Sequence, residues 1–94
     1  MNFSLDARFV KARNLDINEA PDGYVVYDDA HTKVHFMNIT AASILDLCDG
    51  QTSVGAIYKL IQEAFDLDEA PKADVDTCLN DFLSNGLVEA CNQS

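Results

Sequence analysis

The residues best suited to metal chemistry in this 94-residue chain are its two histidines, His31 and His35. Side chains four residues apart meet on a helix, but His35 lies between Val34 and Phe36 in a pattern typical of a strand. Strand residues four apart are separated by roughly 13 Å, too far to share one ion. We therefore predict a loop histidine and a solvent-facing strand histidine, and no metal site.

Acidic residues offer a second kind of site, because carboxylates can bind calcium or act as general acids and bases. Neither the pair Asp28-Asp29 nor the group Asp66, Asp68 and Glu69 fits the spacing of a calcium-binding loop. These residues are typical of turns and helix caps. The chain also lacks a nucleophile elbow, a glycine-rich dinucleotide loop and a Walker sequence. We predict no catalytic residue, no cofactor and no enzyme activity.

The three cysteines, Cys48, Cys78 and Cys91, have no Cys-x-x-Cys spacing. An odd number without that spacing fits a reducing compartment and no disulfide framework. The sequence places Cys48 and Cys78 on apolar helical faces, where they would serve packing.

The formal net charge of -10 constrains the partners of this chain. Nucleic-acid binding requires a basic surface, and an anionic membrane repels an acidic one, so neither partner is expected. No apolar run is long enough to span a membrane. The first residues lack the basic and apolar regions of a signal peptide. A cytoplasmic protein is expected.

The negative charge is concentrated in the second half. Residues 1–45 hold six acidic and four basic residues, a net of -2, whereas residues 46–94 hold ten and two, a net of -8. One interpretation is a solvated face that keeps the protein soluble. The other is a surface that attracts a basic peptide or a basic patch of a partner.

The first half of the chain has the pattern of strands. Residues 15–18 alternate apolar and polar side chains, residues 24–27 are β-branched and aromatic, and residues 33–37 alternate again. The turn signal Pro21-Asp22-Gly23 joins the first two. Three strands with short connections predict an antiparallel meander. Residues 1–14 carry little pattern and are expected to form an arm.

The second half has the period of helices. An Asn38 or Thr40 cap opens a first helix, for which Gly50 is the expected C-cap, and Ser53 caps a second. A third begins near Pro71, ends at Asn85-Gly86, and is followed by a segment that returns to the core. The fold class predicted is α+β and winged-helix-like, with a three-stranded antiparallel sheet followed by three helices.

Such a sheet leaves two strand edges. An edge offers unpaired backbone groups, to which a peptide can add as a further strand, unless charge and twist merely protect it. Lys33 and the pair Asp28-Asp29 are suited to that protection. The pattern alone leaves both hypotheses open.

Three segments resemble the PqqD-like family. They are Gly23-Tyr24-Val25-Val26-Tyr27-Asp28, then Val34-His35-Phe36-Met37-Asn38, and then Thr40-Ala41-Ala42-Ser43-Ile44-Leu45-Asp46-Leu47-Cys48-Asp49-Gly50. Ser53-Val54, Asp74-Val75 and Gly86-Leu87-Val88 continue the likeness, which covers roughly residues 15–89. Met37 stands where the family usually has leucine, and the N-terminal residues match poorly.

This resemblance implies a non-catalytic recognition element for ribosomally made, post-translationally modified peptides. Family members bind the leader of a precursor peptide as a strand added to their third strand, in a groove walled by the third helix. They present it to a modifying enzyme, often a radical S-adenosylmethionine protein, in other systems a leader protease or cyclase.

Carried to this chain, the resemblance makes Lys33, Val34, His35, Phe36 and Met37 the peptide-binding edge. It makes the third helix the opposite wall, through the apolar stripe and two rim residues: Val75, Leu79 and Phe82, with Asp76 and Leu83. It implies a recognition domain over 15–89, between an arm at 1–14 and a frayed tail at 90–94. The alternatives are a regulatory winged-helix domain that binds DNA or protein, and a structural accessory subunit of an enzyme.

Overall fold

The structure is a computed structural model that describes residues 3–13, 15–29 and 32–91. His31 and residues 92–94 lie outside these ranges. The predictions of a loop histidine and of a frayed end of the tail concern those residues. In chain order, the elements are β1 (Arg8–Lys11), β2 (Leu15–Ala20), β3 (Gly23–Asp28), β4 (Lys33–Met37), α1 (Ile39–Asp46), β5 (Asp49–Ser53), α2 (Val54–Ala64), α3 (Lys72–Ser84) and β6 (Val88–Ala90).

The predicted meander is present. Strands β2, β3 and β4 form an antiparallel sheet in that order, and the turn at Pro21 and Asp22 joins the first two. Val26 lies opposite both Ile17 of β2 and His35 of β4, and it is fully buried beneath the helices. Three helices follow this sheet, which confirms the predicted α+β class.

A second sheet, which the sequence pattern did not predict, is built around the N-terminal segment. Strand β1 pairs antiparallel with β5 on one side and β6 on the other. Phe9 is buried and stacks edge-on against Phe3, with ring centroids 5.3 Å apart. Residues 8–11 are therefore part of the core structure instead of an arm, and Ala90 and Cys91 are also held against β1.

Side-chain caps fix the starts of two helices. The Asn38 side chain accepts a hydrogen bond from the backbone N–H of Ala41 at 2.8 Å, and Ser53 accepts one from Ala56 at 3.2 Å. Each cap satisfies a backbone donor that the first helical turn leaves unpaired. The expectation for Gly50 was wrong: α1 ends at Asp46 with Leu47 as its cap, and Gly50 belongs to β5.

Helix α3 ends as the sequence predicted. Gly86 follows the Asn85 cap with a φ of 72°, and the N–H of Leu87 donates to the carbonyl of Phe82 at 2.8 Å. This turn returns Leu87 and Val88 to the core, where both are buried. The core joins α1, α2 and α3 to one residue of β3 and to the second sheet. No helix in the described ranges is long and apolar enough to cross a membrane.

Candidate functional site

Strand β4 is an edge of the meander, and its backbone directions follow from its pairing with β3. A side chain on Gly23 would overlap the carbonyl oxygen of Met37, so that oxygen faces β3. Opposed residues in an antiparallel ladder alternate between hydrogen-bonded and non-hydrogen-bonded pairs. The backbone N–H and C=O groups of His35 therefore face β3, as those of Met37 do. Those of Val34 and Phe36 face the open edge.

The side chains of β4 divide between two faces. His35 and Met37 are half-buried and lie on the face that the helices cover, so the prediction of a solvent-facing strand histidine was wrong. Val34 and Phe36 lie on the other face, where they are 46% and 82% exposed. The open edge thus has a helix-covered side and a solvent-facing side.

A groove of about 300 Å³ separates β4 from α3. From the strand side it is lined by residues 35–38 and by Ala41 of α1. Its helix side is formed by one face of α3 and by the turn that follows: Cys78, Asp81, Phe82, Asn85 and Leu87. The groove is open to solvent along β4, so an extended peptide at that edge would place alternate side chains in it.

The same face of α3 continues past the groove into a second cavity. Asp74 and Thr77 line this cavity together with Asn38 and Cys78. Positions 74, 77, 78 and 81 follow the three- and four-residue spacing that puts side chains on one helical face. Burial raises the pKa of the Cys78 thiol, and the negative charges of Asp81 and Asp74 raise it further. The groove is therefore an electronegative region with an apolar centre.

One polar atom in the groove lacks a partner. The Nε2 atom of His35 is buried and makes no hydrogen bond with any residue in the described ranges. A buried polar atom without a partner costs free energy unless a ligand or water satisfies it. The buried Nε2 of His35 is therefore a local energetic cost in the described structure.

The structure distributes the predicted helix residues differently from the sequence hypothesis. Val75 and Leu79 are fully buried in the core, and Phe82 alone of the three lines the groove. Asp76 is buried against α2, where its Oδ1 accepts a hydrogen bond from the Tyr58 hydroxyl at 2.5 Å. Leu83 is half-buried and packs on the core.

The strand residues are brought together as one edge. Lys33 is exposed at the start of β4 and lies opposite Asp28 of β3. His35, Phe36 and Met37 all line the groove. A further cavity, of about 430 Å³, lies at the turn between β2 and β3 and shares Phe36 and Met37 with the groove.

Cys78 and Asp81 line the groove, although the sequence pattern does not assign them to the peptide site. Cys78 was assigned to packing because it lies on the apolar stripe of α3, and Asp81 was counted only in the overall charge. Their three-residue spacing places both on the flank of that stripe. The pattern contains this signal, but the rotation of α3 relative to β4 decides which flank faces the strand.

The described residues offer little for catalysis. No three histidine, cysteine, aspartate or glutamate side chains in the described ranges are grouped to hold a metal ion. Burial raises the pKa of Cys48 to about 12, and its thiol donates to the carbonyl of Ile44. Because the thiolate is the reactive form, Cys48 and Cys78 are poor nucleophiles at neutral pH. The arrangement is suited to binding an extended chain.

Comparisons with known proteins agree with this geometry. The family model described as coenzyme PQQ synthesis protein D (PqqD) matches residues 23–88, and the chain therefore belongs to the PqqD family. The match contains β3, β4 and all of α3, the elements that form the groove. It confirms the resemblance found in the sequence.

A solved structure has the same fold. It is described as lasso peptide synthetase B1 complexed with the leader peptide, and it is 17% identical in sequence with a TM-score of 0.72. The likeness covers 88% of this chain and 99% of that one. None of the curated proteins compared with the chain matches it significantly.

Proposed function

We propose that this PqqD-family chain is a non-catalytic adaptor that binds the leader of a ribosomally made precursor peptide. The leader adds as a strand to β4, with its backbone bonded to the N–H and C=O groups of Val34 and Phe36. Its inward side chains enter the groove between β4 and α3. The solved leader-peptide complex of a protein with this fold supports the proposal.

The observation that carries the proposal is the open β4 edge beside a groove. The other edge of the sheet, β2, differs because Asp16 and Glu19 place charges along it, and charged side chains protect an edge from strand addition. Strand β4 has one exposed charged residue, Lys33 at its start, and then presents Val34 and Phe36 as exposed apolar residues. It also has the unpartnered Nε2 atom of His35 beside it.

In this function the partner of the adaptor is an enzyme that modifies the precursor. A radical S-adenosylmethionine enzyme is the partner that the family resemblance favours, and a leader protease or cyclase is the alternative. The adaptor raises the local concentration of the precursor beside that enzyme. Cys48, Cys78 and Cys91 are free thiols, and free cysteines favour a reducing compartment such as the cytoplasm.

A DNA-binding role is disfavoured by the charge of α3. A helix that reads DNA needs basic residues for phosphate contact, and α3 has Lys72 against three aspartates, Asp74, Asp76 and Asp81. A purely structural accessory subunit would leave the β4 edge without a ligand. Peptide binding separates that alternative from the proposal.

The first test is an NMR titration with a candidate precursor peptide, taken from any short open reading frame that lies next to this gene. Amide shifts concentrated in residues 33–37 and 74–83 are expected, with affinity in the micromolar range or somewhat tighter, because ordering a flexible peptide costs entropy. Shifts confined to residues 3–13 would contradict strand addition at β4.

The second test separates backbone from side-chain contributions at Val34. Val34→Pro removes an N–H that faces the open edge without removing a bond to β3, whereas Val34→Ala shortens the side chain and keeps that N–H. We expect Val34→Pro to abolish peptide binding and Val34→Ala to retain most of it. Circular dichroism checks that both variants are folded. Equal binding by both would exclude a backbone contact at this residue.

A further inference from the structure

The face of α3 that lines the groove and the adjoining cavity carries negative charge with nothing to neutralise it. Asp81 lines the groove, Asp74 lines the adjoining cavity, and no lysine or arginine lines either. Within the described ranges, the carboxylate groups of these two aspartates make no ion pair; the pair formed by Lys11 and Asp46 lies elsewhere. A ligand in this groove therefore meets the charge of Asp81 without a basic side chain among the lining residues.

These charges lie on both sides of the half-buried Cys78. On a helix, Asp74 is four residues and about 6 Å before Cys78, and Asp81 is three residues and about 4.5 Å after it. Phe82 and Met37 complete the apolar centre of the groove. Along an extended peptide, side chains on one face are two residues and roughly 6.6 Å apart. The distances from Cys78 to the two aspartates along the helix are thus similar to the distance between same-face side chains along the peptide. Lysine and arginine side chains are long enough to make up the remaining difference.

We propose that the groove selects a basic leader, in which an apolar residue is flanked at a distance of two residues by lysine or arginine. The apolar side chain contacts Cys78 and Phe82, and the basic side chains reach Asp81 and Asp74. This inference rests on the proposed function and adds the chemical class of the peptide. The groove and the open edge define the site, and the aspartates set its preference.

The alternative is that Asp74 and Asp81 only solubilise the helix, as exposed carboxylates commonly do. Their position distinguishes them from such residues, because Asp81 lines the groove and Asp74 lines the cavity that adjoins it. The charges of both aspartates raise the pKa of the partly buried Cys78 thiol, so the field of each carboxylate reaches the apolar centre.

The test is a selection of random peptides displayed on phage against the full chain, with Val34→Pro as the counter-selection target. This counter-selection keeps peptides that need the open edge. We expect the survivors to be enriched in lysine or arginine two residues from an apolar position. The most enriched peptide is then synthesised with its basic residues intact and with glutamine in their place.

Affinities of these two peptides are compared for the wild type, Asp81→Asn, Asp74→Asn and Glu63→Gln. Glu63→Gln removes the same unit of charge from an exposed site on α2 and controls for net charge. The two aspartate variants should each weaken the basic peptide about three- to fivefold at low salt, an effect that added salt reduces. Glu63→Gln, and any variant with the glutamine peptide, should change affinity little.

A failure of the basic-leader inference can be distinguished from a failure of strand addition at β4. Survivors that need the β4 edge but show no basic enrichment, or equal effects of Asp81→Asn and Glu63→Gln, would overturn the basic-leader inference and leave strand addition intact. If no peptide survives the Val34→Pro counter-selection, strand addition itself is contradicted, and the basic-leader inference fails with it.

Discussion

Asp76 shows how one residue can be acidic in sequence and structural in role. It was predicted at the rim of the peptide site, yet it is buried between α2 and α3 and accepts the hydrogen bond of Tyr58. A buried carboxylate needs such a donor, because an unsatisfied one costs considerable free energy. Its position suits holding the two helices together; a role for Asp76 in peptide binding stays a prediction.

Tyr58→Phe removes this donor and should lower the free energy of unfolding by about 1–3 kcal/mol at neutral pH. Burial, followed by the bond to Asp76, raises the pKa of Tyr58 from 10.0 to about 12. The stabilisation is therefore complete below pH 10 and is lost as pH rises to about 12. The difference in free energy of unfolding between wild type and Tyr58→Phe, measured by urea denaturation, should therefore decrease as pH rises from 10.0 to about 12.

Tyr27→Phe, on the exposed face of β3, is the matched control and should leave the pH dependence unchanged. If the difference in free energy of unfolding between wild type and Tyr58→Phe stays constant from pH 10.0 to about 12, the hydroxyl of Tyr58 does not stabilise the fold through its bond to Asp76.

Cys78 provides a chemical probe of the groove. A bound peptide should cover its thiol and slow its alkylation by a small reagent, whereas Cys91, which lies near Gly50 of the second sheet, should react at the same rate with and without peptide. Mass spectrometry of each cysteine-containing fragment measures both rates in one sample. Equal protection of Cys78 and Cys91 would indicate a global change instead of occupancy of the groove.

At the scale of elements, α3 has a core face and a groove face. Leu79 is fully buried on the first, and Thr77 is exposed on the second. Leu79→Ala should lower the free energy of unfolding by about 2–5 kcal/mol. Thr77→Ala should change it by no more than about 0.5 kcal/mol. A near-zero effect of Leu79→Ala in the same denaturation series would mean that α3 is rotated from its described position.

This division explains what the sequence could predict of the site. Helical periodicity identified the stripe of Val75, Leu79 and Phe82, but that stripe mostly faces the core. The groove face begins at its flank with Cys78 and Asp81, and tertiary packing decides which flank lies beside β4. On the strand side, alternation correctly assigns Val34 and Phe36 to one face, but it does not say which face the helices cover, so the prediction of a solvent-facing His35 was wrong.

The helix N-caps were predicted better than the Gly50 C-cap, and β5, one of the three strands that the sequence pattern did not predict, was missed for a local reason. Ser53 was predicted from its position before an apolar helical pattern, whereas the sequence left Asn38 and Thr40 open for α1 and the structure has Asn38 as the cap. The segment Asp49–Ser53 forms β5, yet it contains no β-branched apolar or aromatic residue. Its composition is typical of a turn, and its strand conformation depends on pairing with β1.

At the scale of the whole molecule, β1 joins distant parts of the chain. It is the central strand between β5 and β6, so residues 8–11 hold residues 49–53 and 88–90 together. Four residues carry too little pattern to predict such long-range pairing. The meander, whose strands are neighbours in sequence, was predictable from alternation and turn signals.

The N-terminal segment should therefore be needed for folding. Phe9→Ala is expected to lower the free energy of unfolding by about 3–5 kcal/mol, because Phe9 is buried in the core. Val10→Ala, on the exposed side of β1, is the control and should have a much smaller effect. A fully stable Phe9→Ala protein would show that this segment is an appended arm after all.

The central claim is that a leader peptide becomes a fourth strand of the meander, beside β4. Amide hydrogen exchange of β4 tests it most directly. Without peptide, the amides of His35 and Met37 should be protected by β3, and those of Val34 and Phe36 should exchange rapidly. With saturating peptide, Val34 and Phe36 should become protected, while His35 and Met37 change little. Val34 and Phe36 amides that still exchange rapidly in the saturated complex would contradict strand addition.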